Sequence, residues 1–131
     1  EISDLSRINL TDDPDQIVNK IKKAKTDSLP MPSNKEELEN RPEAKNLIGI
    51  YSSLTGLNLE TSLKKFSGQN FSKFKENLSE TLVEKIVPIS SEIKKLINEK
   101  TYLDEILVEG CKKAEVISSE KIKKIHEIMG F

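Results

Sequence analysis

Few residues of this sequence could do chemistry, and they are scattered. His126 is the only histidine. A general acid, a base or a metal ligand needs a partner within reach, and the neighbours Lys124 and Glu127 give no second ligand at metal spacing. It reads as a surface or interhelical residue. Cys111 is the only cysteine and stands beside Lys112 and Lys113, cations that could favour a thiolate. A lone helical cysteine is nevertheless ordinarily a small packed side chain. No glycine-rich phosphate loop, no paired-cysteine motif and no basic tract longer than a lysine pair such as Lys22-Lys23 occurs. We expect no catalytic centre and no metal site in this chain.

Cations that could touch phosphate form three clusters. Lys20, Lys22, Lys23 and Lys25 follow one another closely; Arg41 and Lys45 flank a proline; Lys64, Lys65, Lys73 and Lys75 surround Gly68-Gln69-Asn70. Each cluster could also be a solvated face or a set of helix-end charges. The third stands out because Phe66, Phe71 and Phe74 interleave with it, and unpaired RNA bases are held by stacking and polar edges beside cations. Those three aromatics recur at helical spacing, however, so core packing is the better assignment for them.

The elements that must position these residues are helices. The 131 residues suit one domain with a modest core. Charged residues are 33% of the chain, but 21 basic side chains nearly cancel 22 acidic ones, so any polyanion must be met by a local patch. Aromatics are 5%, apolar residues 35%, and tryptophan is absent, a lean composition that suits a helical bundle. One cysteine forms no internal disulfide, and no signal peptide or apolar run of about 18 residues appears, so a soluble, cytoplasmic protein without membrane contact is expected. Glu1-Ile2-Ser3-Asp4 lacks an initiator methionine and carries no clear helix signal before Asp12, as expected of a piece of a longer protein or a processed terminus.

Asp12-Asp13-Pro14 starts a helix that should run from about residue 14 to 25, with Ile17, Val18, Ile21 and Ala24 on one face and lysines late, where the dipole favours them. Pro30, Pro32 and Pro42 make residues 29–42 a loop, with at most a short turn near Glu36 to Glu39. Leu47, Ile48, Ile50, Tyr51 and Leu54 mark the next helix, which Gly56 closes; Asn58 caps a short one ending at Phe66 before Gly68. A long stripe follows through Phe71, Phe74, Leu78, Leu82, Ile86, Ile89, Ile93 and Leu96, where Pro88 should kink the helix. The last helix, about Thr101 to Met129, carries Leu103, Ile106, Leu107, Gly110, Ala114, Ile117, Ile125 and Ile128 on one side, broken by Lys121; Gly110 suggests close helix approach. No stretch alternates long enough for a strand. The expectation is an all-α bundle of about five helices, organised as residues 1–28, the loop 29–42 and a helical region 43–131.

Several strings go beyond periodicity. Ile8-Asn9-Leu10-Thr11-Asp12-Asp13-Pro14 with Lys20-Ile21-Lys22-Lys23-Ala24 and Thr26-Asp27 resembles the segment that follows the KMSKS signature of bacterial-type tryptophanyl-tRNA synthetases. Arg41-Pro42-Glu43-Ala44, Asn46 to Tyr51 with Leu54-Thr55-Gly56, Phe71-Ser72-Lys73-Phe74-Lys75, Pro88-Ile89, Leu103 to Leu107 with Glu109-Gly110, and Ile128-Met129-Gly130-Phe131 are similar to the same family in the same order. The resemblance covers essentially the whole chain. It implies a class I synthetase, usually a homodimer, whose Rossmann domain activates tryptophan with ATP and magnesium and transfers it to tRNA. The HIGH and KMSKS signatures that position ATP do not occur here, so the resemblance implies a C-terminal anticodon-binding part, inactive alone and binding no cofactor. Its implied partners are tryptophan tRNA and its own catalytic domain, toward which the last helix would return, leaving part of the stripe Leu103 to Ile128 without its cover. Arg41, Lys45, Lys64, Lys65, Lys73 and Lys75 are the candidate tRNA contacts. A helical protein-interaction module without RNA binding is the alternative reading.

Overall fold

The computed structural model describes residues 4–130 and contains, among them, six α-helices and no strand. Glu1 to Ser3 and Phe131, at the ends of the expected segments, lie outside the described residues. After a short 3-10 turn at Asp4–Ser6, the helices are α1 (Pro14–Lys23), α2 (Lys35–Glu39), α3 (Pro42–Thr55), α4 (Leu59–Phe66), α5 (Phe71–Asn98) and α6 (Lys100–Met129). The expected all-helical class holds. The count exceeds five because the suspected turn at 36–39 closes as a helix, capped by Asn34 Oδ1, which accepts from the Glu37 amide at 2.8 Å.

Local chemistry accounts for the boundaries. Asp13 and Gln16 form a reciprocal capping box at the start of α1: each side chain accepts from the other's backbone amide, at 2.8 and 2.9 Å. Asn58 Oδ1 accepts from Thr61 N to start α4, and Asn70 Oδ1 accepts from Lys73 N to start α5. Gly56 and Gly68 sit at φ of 71° and 72°, the left-handed conformation that ends α3 and the turn after α4 without a Cβ penalty. α5 is assigned as one helix through Pro88, whose ring nitrogen has no hydrogen to donate to the preceding turn.

The chain divides into two compact units, one ending at Ser91 and the other starting at Glu92, so the division falls inside α5. The first unit holds the whole apolar core. Ile17, Leu38, Ile48, Leu63, Phe66, Phe74 and Leu78 are each at most 1% exposed. Phe66 stands at its centre, edge-on to both Tyr51 and Phe74 with ring centroids 4.8 Å apart in each pair, contacts worth about 0.5–1.5 kcal/mol beyond simple burial. The α5 stripe is buried at Phe71, Phe74, Leu78 and Leu82, while Ile86 is half-buried and Ile89 exposed.

The second unit comprises the end of α5 and α6. No residue of α6 is buried. Its own length is supported by i,i+4 ion pairs, Lys113 with Glu109 at 2.6 Å and Lys124 with Glu120 at 2.9 Å. Cys111, expected to pack, is exposed instead. Gly110, expected at a close helix approach, has no atom within 4 Å of where a Cβ would stand.

Candidate nucleic-acid interface

The fold brings the Pro-containing loop and the turn after α4 together. Met31 N donates to Gln69 O at 2.7 Å and Gly68 N donates to Met31 O at 3.1 Å, a reciprocal backbone strap, with a hydroxyl bond between Ser67 and Ser33 at 2.6 Å beside it. Met31 and Pro32, two of the loop's few apolar side chains, are buried and anchor it from within. The polar rim of this region is Ser33, Ser67, Gln69 and Asn70, with Lys64 and Lys73 on the adjoining helix ends.

Arg41 holds the loop from its other end. Its guanidinium fork donates to both oxygens of Asp27, at 2.9 and 2.7 Å, and also reaches the carbonyls of Pro30 at 2.7 Å and Leu29 at 3.3 Å. The guanidinium carbon lies 5.5 Å from the centroid of the Phe71 ring. Arg41's hydrogen bonds to Asp27, opposed by partial burial, hold the Asp27 carboxyl below the usual aspartate value. With its donors so occupied, Arg41 orders the loop.

Two further candidates are also spoken for. Lys65 Nζ donates to the Tyr51 hydroxyl at 2.6 Å and lies over the Tyr51 and Phe66 rings, 5.1 and 5.3 Å from their centroids. Lys75 Nζ donates to Ala24 O at 2.6 Å and Lys22 O at 3.3 Å, satisfying orphan carbonyls at the end of α1, and burial pushes its ammonium below the usual lysine range. Lys45 makes an exposed pair with Glu39 at 3.1 Å. Lys64 and Lys73 are exposed. Of the six candidates, then, Lys45, Lys64, Lys65 and Lys73 are exposed, Lys65 with its ammonium bonded to Tyr51, while Arg41 and Lys75 are partly buried and act inside the fold. The interleaved phenylalanines all face the core, as the helical spacing indicated.

The first basic cluster contains a surprise. Lys20, grouped with solvated cations by sequence, is 4% exposed, and its ammonium pairs with Asp12 at 2.7 Å and Asp4 at 3.1 Å. Burial would raise the Asp12 carboxyl, but Lys20 and the backbone and side-chain amides of Asn9 outweigh it and hold the group below its ordinary value. The hydrogen bond to Asp12 correspondingly raises Lys20 against the desolvation that opposes it. A signal existed: Lys20 stands three residues after Ile17 and four before Ala24, on the apolar face.

A groove of about 610 Å³ runs between α1 and the first half of α5, with Val18, Phe71 and Val83 at its base. Asp15, Glu76 and Glu80 share its walls with Lys22 and Lys75, so its charge is balanced and a polyanion gains little there. Among the described residues no group of three or more His, Cys, Asp or Glu is placed to hold a metal ion, and the sequence has no glycine-rich loop to cradle a triphosphate. These residues do not fit the ATP and magnesium that the resemblance implies for a whole synthetase. No described helix is long and apolar enough to cross a membrane.

Comparison with known proteins is consistent along the chain. A family model for class I tRNA synthetases (W and Y) matches residues 3–87. A tryptophan–tRNA ligase from Mesorhizobium japonicum is 46% identical over 128 residues, 98% of this chain and 36% of that protein. One from Agrobacterium fabrum is 45% identical over 129 residues, again 98% and 36%. One from Rickettsia felis is 46% identical over 131 residues, all of this chain and 39% of its own length. The chain therefore spans well under half the length of the relatives it matches.

Proposed function

The chain belongs to the class I tRNA synthetases (W and Y), and from that premise we propose that it is the tRNA-binding, anticodon-recognising part of a tryptophan–tRNA ligase. The observation that carries this reading is the match to tryptophan–tRNA ligases over 98% of the chain, in a segment that folds into helices around a strapped, polar turn. In this reading the parent enzyme joins tryptophan to its tRNA with ATP elsewhere in its length, and this segment holds the far end of the tRNA at a fixed distance from that chemistry.

The division of labour among the cations supports it. Lys64 and Lys73, exposed beside the turn Gly68-Gln69-Asn70, and Lys45 at the start of α3 supply phosphate affinity that carries no sequence information. Polar edges on the turn meet unstacked bases. Arg41, Lys65 and Lys75 contribute indirectly, since their bonds to Asp27, Tyr51 and Ala24 keep the turn and loop in one conformation.

The test is a titration of the chain with tryptophan tRNA and with the same tRNA bearing an altered anticodon, at two salt concentrations. The reading predicts tighter binding to the native anticodon, weakening as salt rises. Lys64→Glu and Lys73→Glu should each weaken both tRNAs alike and reduce the salt slope by about one. Absence of binding to either tRNA would favour a helical protein-interaction module without RNA contact, a reading that draws on the exposed apolar side chains of α6.

A further inference from the structure

Ser67, Gly68, Gln69 and Asn70 join α4 to α5, and their polar groups are not equivalent. A side chain whose donors and acceptors are already matched inside the fold has little left to offer a ligand. Ser67 Oγ donates to Ser33 Oγ at 2.6 Å. Asn70 Oδ1 accepts from Lys73 N at 2.9 Å and so starts α5. Gly68 has no side chain. That leaves Gln69.

The backbone of Gln69 is held on both sides: its amide donates to Phe66 O at 3.0 Å, and its carbonyl accepts from Met31 N at 2.7 Å. Its side chain is held at one pole only. Nε2 donates to Lys65 O at 3.0 Å in an exposed setting, while Oε1 is buried and accepts nothing. Among the described residues, Oε1 is the one buried side-chain oxygen or nitrogen without a hydrogen-bond partner. A buried amide oxygen in that state has lost water and gained no donor in exchange, which is unfavourable. A ligand that uncovers Oε1 and donates to it removes the penalty.

The amide also says what that ligand must carry. Nε2 has two hydrogens. The one on the same side as Oε1 is free to donate alongside it, while the other stays with Lys65 O and fixes which pole is the acceptor. Such an acceptor and donor side by side complement the Watson–Crick edge of adenine or cytosine, where an amino group lies next to an unprotonated ring nitrogen. Guanine and uracil present the reverse order, a carbonyl next to a ring N–H. Unstacked bases of a loop display this edge, and bases paired in a duplex hide it. Lys64 and Lys73, exposed on the two helix ends that flank the turn, can hold the phosphates of such a loop without reading its sequence.

We propose that Gln69 is the base-reading side chain of this turn, its amide pivoting about the bond to Lys65 O to pair with the edge of an unstacked adenine or cytosine in tRNA. This rests on the reading of the chain as anticodon-binding, and it assigns to one residue the discrimination that the lysines cannot supply. The test compares tryptophan tRNA with a version in which each anticodon adenine is replaced by guanine and each cytosine by uracil. Gln69→Leu should bind the native tRNA at least about tenfold more weakly, the value of one bidentate base contact. It should bind the altered tRNA as the unsubstituted chain does, with the same salt slope, because phosphate contacts are untouched. Its urea midpoint should be no lower, since leucine fills the space and leaves no orphan oxygen. In the unsubstituted chain, the Gln69 side-chain amide resonances should shift on adding native tRNA and not on adding the altered one. A Gln69→Leu chain that still tells the two tRNAs apart would overturn the proposal and leave the anticodon reading standing. Resonances that ignore the native tRNA would do the same. Equal loss of affinity for both tRNAs would also overturn it, and would assign Gln69 to holding the turn. An unsubstituted chain that does not distinguish the two tRNAs would remove the proposal and the anticodon reading together.

Discussion

α1 and α6 are built by one rule and end in opposite circumstances. Both carry apolar side chains at steps of three and four with charges opposite. In α1 that face disappears: Ile17 is 0% and Ile21 4% exposed, and even Lys20 is drawn in with them. In α6 the same kind of face stays in contact with solvent from Tyr102 to Met129. Spacing therefore says which side chains share a face; it does not say whether the same chain provides the cover. What completes α1 is a core already fixed by α3, α4 and α5, into which its side chains fit.

The contrast can be broken or sharpened by substitution. The largest effect should come from Phe74→Ala, which removes a fully buried ring in contact with Tyr51, Phe66 and Phe71 and should cost about 3–5 kcal/mol by denaturant unfolding. Next in size is Lys20→Ala, which leaves Asp12 buried without its cation; it should lower the unfolding midpoint clearly, though less than loss of the ring.

The same pair gives the first unit a pH signature. Asp12 and Asp27 have folded values below their unfolded ones, so their stabilisation is complete above about pH 4 and is lost as pH falls through the lower folded values. Lys20, raised in the fold, stabilises fully below about pH 10.4 and loses that contribution as pH climbs through its higher folded value. Urea midpoints across pH should show both flanks, and Asp12→Asn should flatten the acidic one. Arg41→Lys keeps the charge and loses the fork, so it should cost about 1–2 kcal/mol. Smallest of all, Ile117→Ala in a dilute sample should change unfolding by less than about 0.5 kcal/mol. A loss there comparable to that of Phe74→Ala would mean that the α6 face is covered within one chain, and the contrast would fall.

Most of the helical layout was legible because its signals are local. Asp13 before Pro14, Asn58 before α4 and glycines after α3 and α4 each act within one turn. What was missed depends on residues far apart in sequence. Nothing near Arg41 announces Asp27, 14 positions earlier, as the acceptor for its fork. Lys75 bonds the carbonyl of Ala24, the residue that follows α1, 51 positions before it. The basic candidates were recognised as cations, but charge alone could not separate Lys64 and Lys73, which face water, from Lys65, whose ammonium rests on two buried rings. Lys20 is different in kind, since its place on the apolar face of α1 could have been read from spacing alone.

The strap between Met31 and the Gly68-Gln69 turn has a kinetic meaning. Its two amide bonds close a ring of chain that contains α2, α3 and α4. Helical turns form locally and early, but neither bond can form until the ring's two ends have met, a step that carries the entropy of loop closure. The strap should therefore be a late event in folding, and the Met31 and Gly68 amides, though both lie in irregular segments, should exchange their hydrogens only when the whole ring opens.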